Sequence, residues 1–160
     1  MPQTSDQPVL TDVAYWDHYW SDITPPERVN ERVRWQRALA NVLRRVLPRE
    51  PTTSAVEIGC APGRWLVWLS ENLGYRIAGY ELSPAAAETT RKNLSFHGID
   101  GTVFTGDVLS QDNATAEQYD LVLSIGVIEH FSDPRPMIEQ HLRRVKAGGM
   151  VVLHVPNIAG

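Results

Sequence analysis

The chain has 160 residues, a formal net charge of −4 and an ordinary apolar fraction of 42%, which suits one soluble domain with a real core. The mild acidity argues against an autonomous nucleic-acid binder, which shows a basic excess. The single cysteine, Cys60, excludes an internal disulfide and a structural zinc site, and Met1 to Leu10 holds no basic n-region and no apolar run. A cytoplasmic protein with no metal site and no membrane span is expected.

Residues 1–12 read as a loose polar tail. Tyr15-Trp16-Asp17-His18-Tyr19-Trp20 concentrates aromatic side chains in a short helix or turn that Pro25-Pro26 breaks. From about Asn30 to Leu47 the spacing of Trp35, Ala38, Leu39, Val42, Leu43 and Val46 predicts a helix with one apolar face, ended by Pro48 and Pro51. Arg32, Arg34, Arg37, Arg44 and Arg45 occupy its other face; they read as solvated, with a phosphate or partner patch as the alternative.

Strands and helices then alternate. Ala55 to Ile58 is a buried strand, and Trp65 to Leu73 a helix closed by Gly74. Tyr75 to Tyr80 is the second strand. Ser83-Pro84 opens a helix, with serine as N-cap and proline at the first helical position, that runs to His97 and stops at Gly98. Thr102 to Thr105 is the third strand. Asp120 to Ile125 is the fourth, apolar on both faces as a central parallel strand is. Asp133-Pro134 starts a helix that should stop at Gly148-Gly149, and Met150 to Val155 is the fifth strand. This order predicts an α/β, Rossmann-like, doubly wound and mostly parallel sheet with helices on both faces, preceded by N-terminal helices. Residues 1–50 form a tail and helices, and residues 51–160 a binding domain. In such a fold the fifth strand is an open apolar edge, so either more chain follows it or a second copy or partner chain covers it.

Ligands of such sheets sit at the carboxyl ends of the strands, where strand order reverses. The first strand runs into Glu57-Ile58-Gly59-Cys60-Ala61-Pro62-Gly63-Arg64, a loop whose glycines allow a sharp turn, and the helix that starts immediately after it should point free amides at the site. A dinucleotide fingerprint, G-x-G-x-x-G/A, fits it poorly. Ala61 holds the second glycine position, Arg64 is too large for the third, and Pro62 removes a donor. Glu57 would repel a phosphate and suits a cationic ligand, with a carboxylate satisfied by loop amides as the plainer reading. The second strand ends in Glu81-Leu82, where an acid can accept from both ribose hydroxyls. The third runs into Gly106-Asp107-Val108; Asp107 also suits an ordinary turn.

Glu57-x-Gly59-x-Ala61-x-Gly63 resembles motif I of the class I S-adenosylmethionine-dependent methyltransferases, with Ala61 in place of the usual middle glycine. The stretch from Asp120 to Asn157 is similar to the small-molecule members: Tyr-Asp-x-Val-x-Ser, then Gly126-Val127-Ile128-Glu129-His130-Phe131, then Asp-Pro, Gly-Gly and Val-Pro-Asn. The resemblance spans about Ser54 to Asn157. It implies S-adenosyl-L-methionine as cofactor, held by Glu57, Gly59, Cys60, Ala61 and Gly63, with Glu81 on the ribose, Leu82 on the adenine face, and Asp107 and the Val108 amide on the adenine edge. Carbonyls near Ser124 and Ile125 would hold the methionine amino group. The methyl acceptor is then an O, N or C nucleophile of a small molecule, since no Asn-Pro-Pro-Tyr-like motif follows the fourth strand. His130 is the candidate general base; alternatively His130 or Glu129 only orders the loop. Tyr15, Trp16, Tyr19 and Trp20 form a lid over the sulfonium or pack on the core, and Trp65 and Trp68 read as core. A shortened, inactive cofactor-binding subunit is the second hypothesis and a nucleotide-dependent oxidoreductase the third.

Overall fold

The computed structural model describes residues 11–110 and 117–157. Five parallel strands run in the order β3-β2-β1-β4-β5: β1 Ser54–Ile58, β2 Arg76–Glu81, β3 Gly101–Thr105, β4 Tyr119–Ile125 and β5 Val145–His154. The sheet therefore turns one way from β1 to β2 and the other way from β1 to β4, as the alternating pattern requires. All five residues of β1 are buried, as in a strand covered on both faces.

The period-2 alternation of the strands feeds two cores. Ala55, Ile77, Leu121 and Leu123 face α2 (Arg34–Val46), α3 (Arg64–Leu73) and α4 (Pro84–Phe96). Val56, Ile58, Ala78 and Val122 face Met137 of α5 (Arg135–Arg144). The local signals for α3 and α4 are realised in detail. Gly74 closes α3 at φ 78°, and Ser83 caps α4 by accepting from the Ala86 amide at 3.0 Å. A short helix, α1 (Val13–Trp20), is capped by Asp12, whose carboxylate accepts from the Tyr15 amide at 2.8 Å, and packs on α4. No helix among the described residues is long and apolar enough to cross a membrane.

Two sequence expectations are corrected. Helix α2 starts at Arg34 rather than near Asn30, and its buried stripe is Gln36, Leu39, Ala40 and Leu43. Val42 and Val46 point outward instead, and Trp35 is half-exposed with its ring against Trp65 and His154. Gln36 can be buried because its side-chain oxygen accepts from the Asn30 amide at 2.6 Å, which holds the chain before the helix. Helix α5 stops at Arg144, not at Gly148-Gly149, and β5 begins at Val145. The two glycines form an irregularity in β5: Tyr119 pairs with Val145 but Leu121 with Met150. At Gly149 a Cβ would lie 2.8 Å from the Asp120 carbonyl oxygen, so the chain passes β4 too closely for any other residue. Among the described residues β5 pairs with β4 alone and is an edge strand, as expected.

Candidate functional site

The carboxyl ends of β1 and β4 lie side by side, with Ile58 paired to both Tyr80 and Ser124. The loops that follow them border a cavity of about 330 Å³, within the range of small-ligand sites. It takes Glu57, Gly59, Cys60 and Ala61 from the end of β1, Glu81 and Leu82 from β2, Asp107 and Val108 from β3, and Ile125 and His130 from β4. All the cofactor and catalytic residues anticipated from the sequence thus line one cavity, except Gly63 and Ser124, and of the anticipated aromatic lid Tyr15 does not line it. Gly63 shapes the turn: at φ 88° it donates its N–H to the Cys60 carbonyl oxygen at 2.6 Å and starts α3. Ser124 is buried within β4, one residue below Ile125.

The loop after β1 is braced by its own neighbours, while α3 begins at Arg64 with no side-chain cap on its first amides. The Gly59 and Cys60 amides both donate to the Tyr80 carbonyl oxygen, at 2.8 and 3.2 Å. The Ala61 amide donates to Glu81 Oε2 at 3.2 Å, and the Ser83 amide donates to Glu81 Oε1 at 3.1 Å. Glu81 therefore holds the motif loop and the start of α4 together, with lone pairs left on each oxygen. At Gly59, φ is 71° and a Cβ would lie 2.5 Å from Val127 Cγ2, so the loops after β1 and β4 touch only because no side chain intervenes.

Three carboxylates stand near the carboxyl ends of three adjacent strands and step along the sheet: Glu57 on β1 pairs with Gly79, two residues before Glu81 on β2, and Glu81 pairs with Thr105, two residues before Asp107. Glu81 is 5% exposed, and burial, more than any other cause, pushes its carboxyl up. Glu57 is 3% exposed and its Oε2 has no hydrogen-bond partner. Burial drives its carboxyl well above the usual range, Arg64 opposes this, and Glu81 adds to it. Asp107 accepts from the Leu109 amide at 2.8 Å. Burial likewise pushes the Cys60 thiol up, and it is an inert packing group. The cluster of acids suits a cation and opposes a pyrophosphate. Arg64 also lines the cavity but pairs with Glu27 at 3.3 Å.

The other wall is aromatic. His130 ends a single 3₁₀ turn (Ile128–His130), and its ring meets Trp16 of α1 edge to face, with centroids 4.8 Å apart. Trp16, Tyr19 and Trp20 line the cavity. Asp17 fastens α1 to the rest of the fold by accepting from the Ser83 hydroxyl, the α4 cap beside Glu81. Trp35 and Trp65 also line the cavity, and Trp65, as expected, belongs to the buried core.

Residues 29–159 match a family described as a methyltransferase domain, and the chain belongs to that family. It is 25% identical over 148 residues to the ubiquinone biosynthesis O-methyltransferase of Nitrosomonas europaea, covering 88% of this chain and 58% of that protein. It is 27% identical over 108 residues to the norajmaline N-methyltransferase of Rauvolfia serpentina, covering 66% and 37%. The chain thus spans little more than half of the first relative and about a third of the second. Among solved structures, an S-adenosylmethionine-dependent methyltransferase from Thiobacillus denitrificans, in complex with S-adenosyl-L-homocysteine, shares the fold with a TM-score of 0.66 at 16% identity over 86% of this chain and 53% of that one.

Proposed function

We propose that this domain binds S-adenosyl-L-methionine and directs its methyl group to an O, N or C nucleophile of a small molecule. One observation carries the reading. Asp107, Glu81 and Glu57 step along the sheet near the carboxyl ends of β3, β2 and β1, and the last has a buried oxygen with no partner. The cofactor offers groups in the same order: an adenine amino group, two ribose hydroxyls and an ammonium. Asp107 and the Val108 amide hold the adenine edge, Glu81 accepts from the ribose, and Leu82 lies against the ring. Glu57, with the backbone around Gly59, Cys60, Ala61, Ser124 and Ile125, faces the methionine end, while Gly63 keeps the turn that shapes this wall.

The cofactor supplies a methyl group on a positively charged sulfur, an electrophile that needs alignment more than activation. Trp16, Tyr19 and Trp20 of α1 lid that charge with aromatic faces and exclude water. His130 stands at the same end and takes the proton that an oxygen or nitrogen nucleophile loses. The single, buried cysteine suits a reducing, cytoplasmic compartment. An oxidoreductase reading is disfavoured, since a nicotinamide dinucleotide would set its pyrophosphate against Glu57 and Pro62.

Calorimetric titration with S-adenosylhomocysteine tests the reading, with NAD as control and Glu81→Ala as second protein. Micromolar binding to the wild type, lost in the variant and absent with NAD, is expected. A folded chain that takes NAD and ignores S-adenosylhomocysteine refutes it.

A further inference from the structure

Resting on the reading of α1 as a lid and His130 as the base, we infer that Asp17 is a positioning residue: its bond to Ser83 seats Trp16 against the His130 imidazole and keeps α1 across the cavity. Helix α1 has eight residues and buries none of them. A helix that short does not hold in water on its own, so its place depends on the few groups that grip it. Trp16, Asp17 and Trp20 are its half-buried residues, and helical spacing puts them on one face.

Two sides of the cavity meet that face. Toward β2, Asp17 accepts from the Ser83 hydroxyl. Ser83 is fully buried and cannot follow α1 outward: its amide donates to Glu81 Oε1 at 3.1 Å, and its Oγ accepts from the Ala86 amide at 3.0 Å. Toward β4, Trp16 meets the His130 ring edge to face, at 82°. Among the described residues the His130 ring makes no hydrogen bond, so packing sets its plane, with Trp16 as its ring partner. The two gripping residues are consecutive, so a helix held at Asp17 has little freedom at Trp16.

The far end of this segment is fixed elsewhere on α4. Asn93, fully buried, accepts from the Glu27 amide at 2.7 Å and donates to the Glu27 carbonyl oxygen at 3.0 Å. About 15 Å of helix separates Ser83 from Asn93. With the Ser83 bond gone, α1 stays tethered at Glu27, residues 21–26 act as a joint, and Trp16 is free to leave His130. Asp17 lies outside both hydrophobic cores, so its loss leaves the fold standing.

The test is a histidine ring-proton spectrum of the cofactor-free chain. His130→Asn identifies the His130 signal, and Trp16→Ala defines where it lies without the indole's ring current. Asp17→Ala should move the signal to that same position. Asp17→Asn, whose side-chain oxygen still accepts from the hydroxyl, should leave it as in the wild type. His141 is fully buried in α5, reports on the core, and should not move. With S-adenosylhomocysteine as probe, dissociation followed by tryptophan fluorescence should be about tenfold faster from Asp17→Ala than from the wild type, the size expected for one hydrogen bond to a charged group. A His130 signal that Asp17→Ala leaves in place, one that Asp17→Asn displaces as far, one that moves only together with His141, or unchanged dissociation overturns the assignment. The spectra need no ligand, so a wild type that binds no S-adenosylhomocysteine refutes the cofactor reading, while the seating of His130 is decided separately.

Discussion

Gly79 is the position where a single methyl group should do most damage to the cofactor loop. It sits in the middle of β2, paired with Glu57 on β1 and Val103 on β3. An added Cβ would lie 2.5 Å from Cys60 Sγ, 2.9 Å from Cys60 Cβ and 3.1 Å from Leu66 Cδ1. Cys60 and Leu66 are fully buried, so neither can swing into solvent. Overpacking of this kind costs about 1–3 kcal/mol. For a domain of this size that lowers the melting temperature by roughly 3–10 °C. The backbone at Cys60 is the yielding part, since its amide and that of Gly59 hang on the Tyr80 carbonyl oxygen next to the intruding methyl group. Gly79→Ala should therefore weaken S-adenosylhomocysteine binding as well as stability. Adding Cys60→Gly removes the two nearest obstructing atoms and leaves Leu66 Cδ1 at 3.1 Å. The double variant should melt above Gly79→Ala, with a coupling of about 1 kcal/mol or more in a double-mutant cycle of thermal melts. Strictly additive effects, or a Gly79→Ala protein with unchanged melting and binding, would refute the packing argument.

Three further outcomes are expected. His130→Asn should cut turnover of an oxygen or nitrogen acceptor by about 10²–10⁴-fold and leave S-adenosylhomocysteine affinity alone; undiminished turnover would remove His130 from the proton transfer. The Ser54 backbone amide and hydroxyl and the Lys146 ammonium, in that order, hold the Asp120 carboxyl at about 2. A depressed acid stabilises above its unfolded value and loses that contribution as pH falls toward 2. Asp120→Ala should thus cost about 1 kcal/mol near neutral pH and progressively less below pH 4, and a pH-independent loss in denaturant titrations would contradict this. Glu57 is the opposite case. Its raised carboxyl costs the fold nothing in acid and destabilises it as pH climbs above the ordinary carboxylate range. Glu57→Gln should melt higher than wild type at neutral and alkaline pH, match it in acid, and bind S-adenosylhomocysteine more weakly; a variant that melts lower at neutral pH, or binds as tightly, argues against the buried anion.

The cavity was legible in the sequence because its walls are loops at fixed offsets from strands. Glu57, Glu81, Asp107 and His130 each lie at or just past the carboxyl end of a strand, and parallel order brings such ends to one edge. The condition of these groups was not legible. Whether Glu81 is a surface acid or a buried brace depends on the Ala61 and Ser83 amides reaching it, a consequence of β1 and β2 lying in register.

By itself the sequence determined the local decisions: Ser83 as a cap, Gly74 as a stop, an apolar run at β4, and the alternation that commits the chain to a parallel sheet. These depend on dihedral preference and on hydrogen bonds a few residues away. Tertiary structure decided what periodicity leaves degenerate. On α2 it kept Leu39 and Leu43 of the anticipated stripe and buried Gln36, held by the Asn30 amide, where Val42 and Val46 stay exposed. It turned Gly148-Gly149 from a helix stop into an irregular strand pressed on β4. It also brought Asp17 to Ser83 across 66 residues of chain. Pairings at such separation follow from how layers pack, and no local pattern encodes them.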